Sequence, residues 1–181
     1  MLGPLRQNEK YHQFADQRCL CGCVPNYMDV YSNAAFLLVA AQRLATQIDL
    51  LGVGVLLTSF GSAYYHWKPN TQRLFWDRLP MTIGFAQPIA TSTHIHPLFI
   101  LFLGLVSVCY WKHTNDLRLY VLYQYGGVLC CLCAFPYAVA LYALAKLCEH
   151  MDRPIFVMTG ETISGHTLKH VVAACAIRCI D

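Results

Sequence analysis

Five polar residues stand at spacings suited to hydrolytic chemistry: Ser62, His66, Asp77, His166 and His170. Ser62 and His66 are four apart, as are His166 and His170, so on helices each pair shares a face with Cβ atoms roughly 5–6 Å apart. Three imidazoles from two helices can fill three positions around a zinc ion and leave the fourth to water, the pattern of catalytic rather than structural zinc. Asp77 and Ser62 are then the polar groups that act on that water and on a substrate carbonyl. A lone histidine is more often an interfacial or hydrogen-bonded core residue. These five, however, lie in or beside apolar segments, where an ionisable group is costly and marks a functional site. We therefore take His66, His166 and His170 as metal ligands and Asp77 and Ser62 as catalytic residues.

The elements that must position them are apolar helices. Of 181 residues, 56% are hydrophobic and only 13% charged, against about 25% charged in soluble domains. An all-α integral membrane bundle follows. Seven spans of ~20 residues would use ~140 of them, leaving short loops and no second soluble domain. A formal charge of +3 is too small to suggest nucleic acid. No cleavable signal peptide is expected, because residues 1–16 lack an apolar core. Of the ten cysteines, Cys109, Cys130, Cys131, Cys133 and Cys148 fall in apolar runs and read as small hydrophobes. Cys19, Cys21 and Cys23 alternate, which is not the spacing of a zinc knuckle.

In chain order, residues 1–30 form a polar segment lying ahead of the bundle of residues 31–181. The first span starts at Ser32-Asn33 and is short, interrupted by Arg43, Gln47 and Asp49. Leu50 to Trp67 is the second, closed by an aromatic anchor and a turn at Lys68-Pro69-Asn70. Thr71 to Arg78 reads as a basic loop, with Asp77 opening a third span. His94 and His96 fall in a solvated connection. Pro97 to Trp111 is a clear span, and Leu117 to Cys148 is long enough for two, broken near Pro136. Lys146, Glu149, His150, Asp152 and Arg153 read as a solvated charged turn. Residues 154–180 form the last segment, whose polar residues require a cavity or a metal. Lys68, Arg73, Arg78, Lys112, Arg118 and Arg153 gather on one side of such a bundle, which the positive-inside rule places in the cytosol.

Several stretches resemble the alkaline ceramidase family: residues 14–18 (FADQR), 25–33 (PNYMDVYSN), 61–67 (GSAYYHW), 76–82 (WDRLPMT), 142–146 (YALAK) and 164–170 (SGHTLKH). The likeness runs through nearly the whole chain and is nearest to the bacterial and plant-like branch. The five-residue set is also shared with adiponectin-type receptors in the wider superfamily. The resemblance implies a seven-helix bundle enclosing zinc, with His66, His166 and His170 as ligands, Asp77 beside the water and Ser62 beside the metal. Animal members bind calcium at an acidic N-terminal cluster. Asp16 suits that pattern, but Asn26 stands where an acid is expected, and this leaves calcium doubtful here.

The expected function is zinc-dependent hydrolysis of a lipid amide of the ceramide type, giving a fatty acid and a sphingoid base, with membrane lipid as the surroundings. Tyr64, Tyr65 and Trp67 are candidates for the mouth of the site, or for an interfacial aromatic belt. The alternatives are a receptor or scaffold with structural zinc and a shortened, inactive relative. Acyl-chain preference and protein partners are not legible.

Overall fold

The computed structural model describes residues 3–180. Within them the chain is helical apart from a short 3-10 turn (Glu9–His12) and a two-residue-per-strand hairpin, β1 (Cys19–Leu20) against β2 (Val24–Pro25). The helices are α1 (Tyr27–Tyr31), α2 (Ala34–Thr46), α3 (Leu50–Trp67), α4 (Thr71–Thr93), α5 (Pro97–Thr114), α6 (Arg118–Cys130), α7 (Pro136–His150), α8 (Asp152–Met158) and α9 (Gly165–Ile177). The all-α expectation holds. Seven of these helices have 13 or more residues and form the bundle, while α1 and α8 are short connectors.

Two boundaries differ from the expectation in ways that move the site. Thr71 to Arg78 is not a loop. It is the first part of α4, started by the Asn70 side chain, which accepts a hydrogen bond from the Arg73 N–H. Charged residues in this stretch mimic a loop in the sequence, yet Asp77 and Arg78 are both buried. The expected charged turn is likewise helical up to His150, so Lys146 and Glu149 lie inside α7. The polar residues at 159–164 form a turn between α8 and α9 and do not interrupt a span.

Close packing of α3 on α4 sets the register between Ser62, His66 and Asp77. Pro80 has no N–H to give to the Trp76 carbonyl one turn earlier. That carbonyl lies against Gly61, where a Cβ would collide with its oxygen. Gly54 meets the Gly84 backbone in the same way. Along the bundle α3 runs on α4, α4 on α5, and α7 on α9.

Residues 3–33 do not lie loosely ahead of the bundle. They fold across one end of it. His12 reaches the Tyr65 hydroxyl (2.8 Å) and the Thr71 hydroxyl (3.0 Å), the Leu117 N–H donates to the Leu5 carbonyl, and the Ala15 N–H donates to Asp152. Phe14 enters a core cluster with Tyr65, Leu74 and Trp111. The connections near residues 70, 116 and 152 therefore share the end that this segment covers.

The outside is apolar. Leu38, Phe60, Phe102, Leu122, Leu129 and Tyr137 are all at least half exposed. Among the described residues one helix, Pro97–Thr114, is long and apolar enough to cross a membrane by length and composition. A 13-residue helix such as α6 rises only roughly 20 Å, short of the ~30 Å of a typical hydrocarbon layer.

Candidate metal centre

The three histidines meet. His66 comes from the last turn of α3, His166 and His170 from the first two turns of α9, and all are buried. One ring nitrogen from each lies within 4.8 Å of the others. The Nε2 atoms of His66 and His166 are 3.2 Å apart. A tetrahedral ion with bonds of 2.0–2.1 Å holds two nitrogens roughly 3.3 Å apart, so this pair already has the spacing of two ligands. His170 Nε2 is buried with no hydrogen-bond partner, as expected of a nitrogen reserved for a metal. His66 Nδ1 is also buried and unpartnered. This group can hold a metal ion, and three imidazoles suit zinc among other divalent metals.

The N-terminus of α9 is held by several hydrogen bonds. Ser164 caps it by accepting from the Thr167 N–H (2.9 Å), and Asp152 accepts from the His166 N–H (2.8 Å). The other Asp152 oxygen takes the Ala15 N–H (2.8 Å), which ties the helix to the N-terminal segment. From α1, Asp29 accepts hydrogen bonds from the Ser164 and Thr167 hydroxyls (2.9 and 2.8 Å).

Ser32 touches the three-histidine group through His170. Its hydroxyl is 2.7 Å from His170 Nδ1 and donates to the Asp29 carbonyl (3.2 Å). With Ser32 at Nδ1, the His170 nitrogen that is left without a partner is Nε2. Outer partners of this kind fix the ring and its tautomer. Ser32→Ala should weaken zinc binding about 10–100-fold, read by competition with a chromophoric chelator. Unchanged affinity would remove Ser32 from the site.

Asp29 carries a pH signature. Burial raises its carboxyl from 3.8 to about 7, against the pull of the two hydroxyls. The native state then holds a proton that the unfolded chain has lost between those values. Linkage makes this contribution to stability fall as pH rises through that window, with the full penalty above about 7. Thermal melts of Asp29→Asn should show a flatter decline from pH 5 to 8 than the wild type. Parallel declines would assign the effect elsewhere.

Asp77 and Ser62 stand by the metal group. Both line a cavity of about 270 Å³ that also reaches His170. All five residues singled out by spacing thus fall in one region. The expected aromatic mouth does not form there. Tyr65 is buried and bonded to His12, Tyr64 and Trp67 are exposed, and none of the three lines the cavity. The calcium pattern also finds no support, since both Asp16 oxygens are taken by the Arg18 guanidinium (2.8 and 2.9 Å) and the Asn26 amide donates to the His66 carbonyl (2.9 Å). All ten cysteines are free, with Cys19, Cys21 and Cys23 exposed on the hairpin.

A second set of charges was not anticipated. Glu149 on α7 pairs with Lys146 one turn earlier and with Lys169 on α9 (3.0 Å). Lys169 Nζ is also 3.1 Å from His166 Nε2. Lys169 lies between the two histidines of α9, and its three-residue spacing from His166 was the available signal.

No protein-family model, curated protein or solved structure matches the chain.

Proposed function

We propose that the chain is an intramembrane zinc hydrolase of the alkaline ceramidase type, cleaving the amide bond of a lipid. The buried three-histidine group carries this reading, because it sits at the head of an amphiphilic cavity with a carboxylate and a hydroxyl beside it. Apolar side chains exposed around the bundle support a bilayer setting. Its short helices suit a locally thinned bilayer.

Zinc held by His66, His166 and His170 would supply Lewis acidity, acidifying a water and polarising a carbonyl. Asp77 takes a proton from the attacking water at its carboxylate and returns it to the leaving amine. Ser62 donates its hydroxyl hydrogen to the carbonyl oxygen as negative charge develops there. The apolar part of the cavity holds the acyl chain and keeps bulk water from the reacting carbon. Purified, zinc-loaded protein should release labelled fatty acid from ceramide or from a simpler N-acyl amide. Failure to release it from any lipid amide over a broad pH range, with zinc present, would overturn the proposal.

A further inference from the structure

The cavity below the histidines is polar at one end and apolar at the other. It is lined by the start of α4 (Asp77, Arg78), the end of α7 (Lys146, Glu149) and the start of α9 (Lys169, His170). Following those helices the other way, the lining becomes Met81 and Phe85 on α4, Val139 on α7, and Ala173 and Ile177 on α9. One chamber therefore offers a charged head and a hydrocarbon tail.

The charges at the head do not balance. Lys146 and Lys169 both bond to Glu149, and Asp77 is the remaining acid. Arg78, Lys146 and Lys169 against Asp77 and Glu149 leave one formal positive charge, with the histidines neutral. Arg78 holds the excess. Its side chain is buried, and its Nη1 has no hydrogen-bond partner among the described residues. The guanidinium is held instead by rings, 4.3 Å from the centroid of Trp111, 5.0 Å from Tyr120 and 5.6 Å from Tyr11. Ring faces attract a cation but satisfy none of its N–H donors, and a buried charged donor without an acceptor is costly. Tyr11 is set over this end of the cavity by its hydroxyl contact with Glu149 (3.4 Å).

We infer that Arg78 is the recognition residue for an anionic headgroup, and that the preferred lipid amide carries a carboxylate, as an N-acyl amino acid does. This rests on the hydrolase reading for the reaction, but not for the binding. A single uncompensated positive charge matches a monoanion, and a guanidinium with free N–H groups pairs with carboxylate by direct, charge-assisted hydrogen bonds. A neutral headgroup would leave that charge unanswered. The acyl chain runs toward Phe85 and Ile177, and the amide lies between headgroup and chain, near Asp77 and His170.

The test compares N-palmitoylglycine, its methyl ester and N-palmitoylethanolamine in nonionic micelles. Binding is followed by tryptophan fluorescence, with Trp67 and Trp76 replaced by Phe so that Trp111 alone reports, in protein stripped of metal, and fatty-acid release in zinc-loaded protein. The acid should bind on the order of tenfold more tightly than either neutral amide, the effect of a charged hydrogen bond. Arg78→Gln should bring the three affinities together, and Arg78→Lys should retain part of the preference. Equal affinities in the wild type, or a preference that survives Arg78→Gln, would overturn the inference. If Arg78→Gln does not fold, the ester-to-acid comparison in wild type and Arg78→Lys decides. Arg78-dependent binding without hydrolysis would remove the reaction and keep the headgroup site. Hydrolysis without preference for the acid would do the reverse.

Discussion

Removing any one of the three imidazoles should strip the protein of zinc. His66→Ala, His166→Ala and His170→Ala should each carry far less than the wild-type load, which three protein ligands and one open position set at about one ion per chain. The loss should exceed that of Ser32→Ala, because a ligand is removed and not merely its orienting partner. His170→Ala should be the most severe. Its Nε2 is buried with no partner, and its Nδ1 is the nitrogen held by Ser32. His166→Ala has a second consequence, since Lys169 loses one of its two neighbours and keeps only Glu149. His94→Ala and His96→Ala, both exposed at the α4–α5 connection, should keep their zinc and serve as controls. Elemental analysis of purified protein is the measurement. A chelator should lower the melting temperature of the wild type, because an ion bound only by the native state stabilises it by mass action, and should leave the His170→Ala variant unmoved. Full zinc in any of the three variants would break the shared-ion reading.

The metal group was legible because its signal is local. Two four-residue spacings place two pairs on two helix faces, and only their meeting had to be supplied by the fold. Asp77 was placed at the start of a span, whereas it lies in the second turn of α4. Arg73, Asp77 and Arg78 gave residues 71–78 the polarity of a loop, whereas Asn70 starts a helix there and the two last charges are buried. The same error hid Lys146 and Glu149. The second partner of Glu149, Lys169, is 20 residues further on and on another helix, so the chain near Glu149 shows only its pairing with Lys146. The contacts of the N-terminal segment were not legible for a related reason. Its polar composition hid how much of it packs on the bundle: Asp16 and Asp29 are buried, Asp16 bonded to Arg18 and one oxygen of Asp29 to Ser164 and Thr167. Ser32 was seen only as a helix start. Its contact with His170 spans 138 positions, a distance that no short-range pattern reports.

Asp77→Asn should lower the rate of amide cleavage by about 10²–10⁴-fold, the worth of a positioned acid–base group, while zinc content stays at the wild-type level. The carboxylate has two acceptor oxygens and can take a proton, but the amide that replaces it cannot, and its size is nearly the same. The loss should therefore fall on kcat, with KM little changed, as for a group whose contribution grows in the transition state. Ser62→Ala should cost about 10²–10³-fold, the effect of removing one donor to a developing oxyanion. The two losses should not add. Ser62 and Asp77 line the same cavity, so removing the hydroxyl also changes the surroundings of the carboxylate that remains, and neighbouring groups share their energies. The double variant should then be only slightly slower than Asp77→Asn alone. If Asp77→Asn loses its zinc, the carboxylate belongs to the ligand set. If it keeps both zinc and rate, the proton passes through another group.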